Sequence, residues 1–179
     1  GAVARNLINT FFFNMNAIKA GGSRPAAVAR HRVQKVGVLG AGMMGAGIAY
    51  AQARKGIQTV LLDQTEAVAA RGKQHSERLS SALVRQGRLS EADQQALLSL
   101  IEPTCDYGAL AGCDLIIEAV NENRAVKEAV TREAVPHLST DGFLASNTST
   151  LPISGMAQNV HQPNRFIVIH FFSPVNKMR

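Results

Sequence analysis

The chain has 179 residues, of which 46% are hydrophobic, so it is long enough to bury one core of ordinary domain size. Its formal net charge of +6 is carried by the first 35 residues, which contain six basic residues and no acidic one. From Val36 onward 13 basic residues balance 13 acidic ones, which argues against a basic surface that binds nucleic acid.

The chain begins with a predicted helix over residues 3–20, because Leu7, Phe11 and Ile18 recur at mixed helical spacing. The next stretch, GGSRPAAVARHRVQ, has two glycines, a proline and three arginines and is typical of a linker. We therefore expect residues 1–34 to be a linker helix and linker that end an upstream domain. The apolar side chains of the helix should pack on the domain that follows or on another chain.

Strands and helices then alternate. The predicted strands are continuous apolar runs of the kind buried on both faces of a parallel sheet: KVGVLG, IQTVLLD, DLIIEAV, GFLAS and RFIVIHF. Helical patterns cover residues 43–56, 65–87, 90–101, 125–138 and 153–160. This alternation predicts an α/β fold over residues 35–179, with a doubly wound, mainly parallel sheet.

A glycine-rich segment follows the first predicted strand and opens a helix. Gly40, Gly42 and Gly45 have the spacing GxGxxG, in which the glycines allow a tight turn, backbone approach to a pyrophosphate, and close packing of helix on strand. The helix start at Met43 and Met44 offers N–H groups and a positive dipole end to phosphates. The context predicts a dinucleotide site in a Rossmann-type sheet; a glycine turn that serves packing alone is the alternative.

The second predicted strand ends at Asp63, 23 residues after Gly40. A carboxylate at this place can accept hydrogen bonds from the ribose hydroxyls of adenosine, and it would repel a 2′-phosphate. No arginine follows within Gln64–Ala67. The sequence therefore favours NAD over NADP.

Charged residues follow the third predicted strand. Glu122 lies just past its carboxyl end, at the edge where ligands bind in open α/β sheets, so it can reach the ribose next to the nicotinamide. Glu118 is interpreted equally well as part of this cluster or as a solvated or helix-contacting acid. Cys105 and Cys113 show no CxxC pattern and no histidine at ligand spacing, so we expect reduced thiols and no metal site.

The segment SNTST follows the fourth predicted strand, and His170 ends the fifth, so both should reach the same edge of the sheet. An imidazole titrates near neutral pH and suits a base that takes an alcohol proton as hydride leaves. A single histidine at a strand end is more often structural, but the motifs around His170 favour a catalytic role.

Five segments in order, VGVLGAGMMGAGIAY, VLLDQTE, DLIIEAVNEN, ASNTSTLPI and HFFSPVNKM, resemble the L-3-hydroxyacyl-CoA dehydrogenase family of fatty-acid β-oxidation. The resemblance covers about residues 35–179. The HFFSPV form and the leading helix are more similar to α-subunits of multifunctional β-oxidation enzymes, in which an enoyl-CoA hydratase/isomerase domain comes first.

The resemblance implies NAD-dependent oxidation of a (3S)-3-hydroxyacyl-CoA to the 3-ketoacyl-CoA. His170 matches the catalytic base, Ser149 the serine that hydrogen-bonds the substrate oxygen, and Ser173 replaces an asparagine near the acyl-CoA thioester. The positions that match cofactor contacts are Gly40, Gly42, Met43, Met44, Gly45, Asp63, Glu122 and Lys127.

The resemblance also implies partners and a location. We expect an acyl-CoA substrate, the upstream hydratase/isomerase domain and a thiolase subunit, with no nucleic acid and no transmembrane segment. A glutamate that orients the family's histidine, and a C-terminal helical domain over the substrate, would lie beyond Arg179. The 179-residue chain alone should therefore bind NAD but turn over at least about three orders of magnitude more slowly than its parent. The expected location is the cytoplasm in a bacterium, or mitochondria or peroxisomes in a eukaryote.

Two other interpretations remain open. One is a different β-hydroxyacid dehydrogenase with the same GxGxxG domain, against which SNTS and HFFSPV argue. The other is a non-catalytic NAD-binding or docking module. Turnover of acetoacetyl-CoA with NADH distinguishes them.

Overall fold

The structure is a computed structural model, which describes residues 1–22, 24–25, 27–28, 31–157, 160 and 162–177. The chain divides into two compact units, Gly1–Arg32 and Val33–Arg179. Among the described residues, no helix is long and apolar enough to span a membrane.

The N-terminal unit contains one continuous helical stretch, made of α1 (Ala2–Leu7), a π-helical segment (Ile8–Asn14) and α2 (Met15–Lys19). The helix predicted over residues 3–20 is therefore present. Its apolar side chains are exposed, as at Leu7, Phe11 and Phe12, which are 52%, 70% and 60% accessible. The packing of these side chains on another surface stays a prediction, and parts of the predicted linker lie outside the described residues.

The second unit is built on a sheet of six strands: β1 (Lys35–Leu39), β2 (Gln58–Leu62), β3 (Ile101–Thr104), β4 (Cys113–Glu118), β5 (Leu138–Ser146) and β6 (Phe166–Val168). Their order is β3-β2-β1-β4-β5-β6, and every neighbouring pair is parallel. The order confirms the predicted Rossmann-type, doubly wound parallel sheet. It also places the switch in winding direction between β1 and β4, where ligands bind in such sheets.

Helices cover both faces of this sheet: α3 (Met43–Ala53), α4 (Glu66–Arg85), α5 (Glu91–Ser99), α6 (Arg124–Ala134) and α7 (Ile153–Ala157). Adjacent residues of one strand therefore enter different hydrophobic clusters. Leu61 and Ile117 belong to one cluster, whereas Val60 and Ile116 belong to the other. Burial on both faces explains why the strands show no polar alternation in the sequence.

Strand β3 was not predicted from the sequence. The helical pattern of residues 90–101 suggested a longer helix, but α5 ends at Ser99 and the chain turns into the sheet at Ile101. Pro103 lies within this strand, where a proline is tolerated because β3 is at the sheet edge.

Several element ends also differ from the prediction, three of them near the candidate site or its strands. The helix expected over residues 125–138 ends at Ala134, because Pro136 falls in a following 3₁₀ turn. Strand β5 begins at Leu138 rather than at Gly142. Strand β6 ends at Val168, so His170 lies two residues beyond the strand instead of at its end.

Candidate functional site

The glycine loop after β1 is packed too closely for side chains at two of its three glycines. Gly40 has φ of +97°, and a Cβ on it would lie 2.9 Å from the carbonyl oxygen of Ala119. A Cβ on Gly45 would lie 1.8 Å from the carbonyl oxygen of Gly40, so α3 rests directly on the loop. A Cβ on Gly42, in contrast, would meet no atom within 4 Å. The loop therefore leaves open space above Gly42.

The first residues of α3 face that space without a side-chain cap. Gly42 is the N-cap residue and makes no side-chain hydrogen bond, whereas Thr65, Ser90 and Asn123 cap their own helices with side-chain oxygens. The helix start thus has N–H groups and a positive dipole end for an anionic group. The loop lines a cavity of about 740 Å³, within the range of ligand pockets in proteins.

Asp63 is fixed at the rim of this cavity. Its Oδ2 accepts the N–H of Ala41 at 2.6 Å, and its Oδ1 accepts the N–H of Gln64 at 2.7 Å. Each carboxylate oxygen has a second lone pair, which can accept a hydroxyl of a bound ribose. Asp63 therefore lies beside the glycine loop at the end of β2, as the sequence predicted, and its contact with adenosine stays a prediction.

The cavity has one basic wall that sequence reasoning missed. Arg71, His75 and Arg78 of α4 line it, at a spacing of four and three residues that places them on one side of the helix. Burial, followed by the charge of Arg78, lowers the pKa of His75. The helical spacing of these three residues could have predicted their shared position on α4. Together they form a positively charged wall beside the glycine loop.

The SNTST segment is held by Glu122, which follows β4. Glu122 Oε1 accepts the Thr148 hydroxyl at 2.5 Å and the N–H groups of Ser149 and Thr150 at 3.0 and 3.1 Å. Partial burial alone would raise the pKa of Glu122, but these hydrogen bonds and the neighbouring Lys127 lower it to about 2. Glu122 is therefore an ionised anchor for the turn that carries Ser149.

Lys127 is buried beneath this anchor. It is 1% accessible, and its Nζ lies 2.8 Å from Glu118 Oε1, 3.2 Å from Glu122 Oε2 and 3.2 Å from the carbonyl oxygen of Val120. Glu118 is equally buried and accepts the Ser146 hydroxyl at 2.6 Å. Glu118 is thus a helix-contacting acid and not a solvated one. The protein already uses the hydrogen-bonding capacity of Lys127, whose match to a cofactor contact stays a prediction.

His170 lies next to the SNTST segment, at the carboxyl edge of the sheet. Its side chain is exposed, and its Nδ1 is 3.1 Å from the carbonyl oxygen of Asn147. The Phe172 ring meets the imidazole edge-on, with 4.8 Å between ring centroids. The structure therefore brings together the two segments that the sequence proposed for the reaction.

Ser173 lies beside the glycine loop. Its hydroxyl is 3.8 Å from Met43 Sδ, at the start of α3. A Cβ on Gly47 would touch Val175 at 3.1 Å, so the segment after His170 packs along α3. Met43 is 71% accessible, which leaves it free to contact a ligand. The described residues contain no group of three or more His, Cys, Asp or Glu that could hold a metal ion.

Comparison with known proteins identifies the family. Residues 35–179 match the family described as the NAD binding domain of 3-hydroxyacyl-CoA dehydrogenase. The fatty acid oxidation complex subunit alpha of Pseudomonas putida is 39% identical over 177 residues, and that of Pseudomonas entomophila is 38% identical. Each match covers 99% of this chain and 24% of the relative, so the chain spans about a quarter of these curated relatives.

Solved structures agree with this assignment. The (S)-3-hydroxybutyryl-CoA dehydrogenase of Ralstonia eutropha superposes with a TM-score of 0.78 and 33% identity, over 82% of this chain and 52% of that one. The 3-hydroxybutyryl-CoA dehydrogenase of Escherichia coli gives the same score and identity over 83% of this chain and 31% of that one. The resemblance drawn from the five sequence motifs is confirmed, and the protein belongs to the 3-hydroxyacyl-CoA dehydrogenase family, with residues 35–179 as its NAD-binding domain.

Proposed function

We propose that this domain binds NAD and, in a protein of its relatives' length, oxidises a (3S)-3-hydroxyacyl-CoA to the 3-ketoacyl-CoA. The observation that carries the proposal is that all the candidate site residues lie at one edge of the sheet. The glycine loop, Asp63, the Ser149 turn and His170 all lie at the carboxyl ends of the parallel strands.

The residues of the loop fit a dinucleotide. The open space above Gly42 and the uncapped start of α3, at Met43 and Met44, suit a pyrophosphate, and Asp63 suits the diol of the adenosine ribose. A carboxylate there disfavours a 2′-phosphate, so we propose NAD rather than NADP. When bound, the nicotinamide ring supplies a hydride acceptor.

The reacting groups of the chain have separate roles in this proposal. His170 takes the proton of the substrate hydroxyl, and the hydride on the same carbon passes to the oxidised cofactor. The products are the ketone, the reduced cofactor and an imidazolium at His170, so charge and electrons balance. Ser149 donates a hydrogen bond to the substrate oxygen, and Ser173, beside Met43, contacts the acyl-CoA near its thioester.

The names of the relatives support a proposal about the substrate and the partners. Proteins called fatty acid oxidation complex subunit alpha match nearly the whole chain, and solved 3-hydroxybutyryl-CoA dehydrogenases share its fold. We therefore propose an acyl-CoA substrate and a place in a fatty acid oxidation complex. From the sequence resemblance we also propose residues 1–34 as the link to an upstream hydratase/isomerase domain, and a thiolase subunit as a partner. Because these relatives are bacterial, the proposed location is the cytoplasm.

The test is NADH oxidation after addition of acetoacetyl-CoA at high protein concentration. We expect slow turnover, which a His170→Gln substitution lowers by about 10²- to 10⁴-fold, as for loss of a general acid or base. His137→Gln, at the opposite end of β5, is the matched control and should leave the rate unchanged. A rate that does not depend on His170 would contradict the proposal.

A further inference from the structure

Asn147 makes three contacts that no sequence motif assigned to it. Its N–H donates to the carbonyl oxygen of Glu118 at 2.8 Å, which continues the pairing of β4 with β5 by one residue. Its carbonyl oxygen lies 3.1 Å from His170 Nδ1, and its side-chain Oδ1 accepts the N–H of Phe171 at 2.7 Å. One half-buried residue thus joins the ends of two strands to the candidate base.

The side chain of Asn147 accepts a hydrogen bond that a backbone carbonyl oxygen would accept if the strand pairing continued. The N–H of Ile169 still donates to the carbonyl oxygen of Ser146, as expected for parallel pairing of β5 with the chain after β6. The next N–H on that side of the strand is that of Phe171, and it donates to Asn147 Oδ1 instead of to backbone. This bond holds the chain on the far side of His170 at a fixed place.

The contact at Nδ1 has a chemical consequence for the histidine. A carbonyl oxygen only accepts hydrogen bonds, so a neutral His170 makes this bond only when Nδ1 carries the proton. In that tautomer Nε2 has a free lone pair, and it is the nitrogen able to take a proton from a substrate. The opposite tautomer would place two acceptors, Nδ1 and the carbonyl oxygen of Asn147, against each other.

We propose that Asn147 is a positioning residue that fixes His170 as its Nδ1–H tautomer and thereby makes Nε2 the proton acceptor. The proposal rests on the assignment of His170 as the base. Within it, the side chain of Asn147 holds the backbone just after the imidazole through the N–H of Phe171, and its carbonyl oxygen selects the tautomer. The edge-on contact with Phe172 restricts the rotation of the ring in the same arrangement.

The direct test is ¹⁵N NMR of histidine-labelled protein at about pH 8.5, above the usual titration range of imidazole. The chain has five histidines, and the signals of His170 are assigned by their loss in His170→Gln. We expect a protonated Nδ1 and an unprotonated Nε2. A His170 that carries its proton on Nε2 in the unsubstituted protein would overturn the proposal without any variant.

Two substitutions test the side chain. Asn147→Ala removes the acceptor for Phe171 and should mix the two tautomers, whereas Asn147→Asp keeps an acceptor oxygen and should retain Nδ1–H. Asn164→Ala, in the exposed turn before β6, is the control and should change neither signal. Circular dichroism and NADH affinity show that each variant is folded. An unchanged tautomer in folded Asn147→Ala would overturn the proposed role of the side chain.

Turnover separates this proposal from the proposed function. With acetoacetyl-CoA and NADH, Asn147→Ala should lower kcat by about 10²-fold, the scale of a misplaced catalytic group, while NADH affinity is kept. Asn147→Asp should recover most of that loss. If the rate does not depend on His170 but the ¹⁵N signals behave as expected, the proposed function fails while the assignment of the tautomer stands. Full turnover in Asn147→Ala together with a mixed tautomer would contradict a positioning role in catalysis.

Discussion

At the scale of single residues, the most consequential side chain outside the proposed chemistry is Lys127. It is an ammonium group held between Glu118 and Glu122, with almost no access to water. When one partner of a buried ion pair is removed, the other ion is left without a counter-charge in a poorly solvated site, and the fold is strongly destabilised. Lys127 therefore joins the end of β4 to α6 and, through Glu122, to the turn that carries Ser149.

This arrangement predicts a large loss of stability for Lys127→Met. Removal of the ammonium leaves the buried Glu118 without its cationic partner, so we expect the free energy of unfolding to fall by about 3–5 kcal/mol. Chemical denaturation monitored by circular dichroism measures the change. Arg124→Met, on the same helix, breaks the exposed pair with Glu128 and should cost no more than about 1 kcal/mol. Equal losses for the two variants would show that Lys127 is not the anchor described.

Glu122 gives a prediction about acid. Its pKa in the folded chain is about 2, below the ordinary value of 4.5, so its contribution to stability is complete above about pH 4.5. That contribution is lost as the pH falls from 4.5 toward 2. We expect the stability of the protein to fall more steeply over this interval than that of Glu122→Gln.

The measurement is denaturant unfolding at several pH values between 5 and about 2, with Glu128→Gln as a control at a half-buried carboxylate that pairs with Arg124. The control should follow the unsubstituted protein. A parallel pH dependence in the protein and in Glu122→Gln would contradict the ionised anchor.

At the scale of elements, the structure predicts different roles for two glycines of the loop between β1 and α3, Gly42 and Gly45. A methyl group on Gly45 would overlap the carbonyl oxygen of Gly40, whereas one on Gly42 would enter open space. Gly45→Ala should therefore destabilise the fold, by about 1–3 kcal/mol or more, as overpacking does. Gly42→Ala should keep its stability and lose dinucleotide affinity, because the methyl group occupies the space proposed for the pyrophosphate.

Thermal unfolding and NADH titration of both variants measure these two effects independently. Normal NADH affinity in a stable Gly42→Ala protein would place the pyrophosphate elsewhere. An undisturbed unfolding temperature in Gly45→Ala would show that the loop can open away from α3.

The elements also show which features the sequence could predict. The central strands were predictable because strands covered by helices on both faces form continuous apolar runs, as in β1, β2 and β4. Strand β3 was not, because it has four residues and one is Pro103, which on its own indicates a turn. The contact of Asn147 with His170 was also hidden, since it depends on how the chain leaves β6. The same is true of Lys127 and Glu118, which face each other only once α6 has packed on the sheet.

At the scale of the whole molecule, the doubly covered sheet explains why the candidate site is at one edge. Its two hydrophobic clusters occupy the two faces, so the carboxyl ends of the strands are where loops can reach a ligand. The loop after β1, Asp63 after β2, Glu122 after β4 and the turn after β5 all use that edge. The basic wall of α4 completes the cavity with charges that suit the phosphates of a dinucleotide or of an acyl-CoA.

Calorimetric titration of the protein with NADH and with NADPH tests the central claim, a dinucleotide site with Asp63 at its ribose end, most directly. We expect NADH to bind more tightly than NADPH. Asp63→Ala should lower the ratio of NADH affinity to NADPH affinity by about tenfold or more, the scale of a charged hydrogen bond. Asp141→Ala, which removes an exposed carboxylate paired with Arg165, should leave this ratio of affinities unchanged. Equal affinities in the unsubstituted protein, or no binding of NADH, would contradict the account.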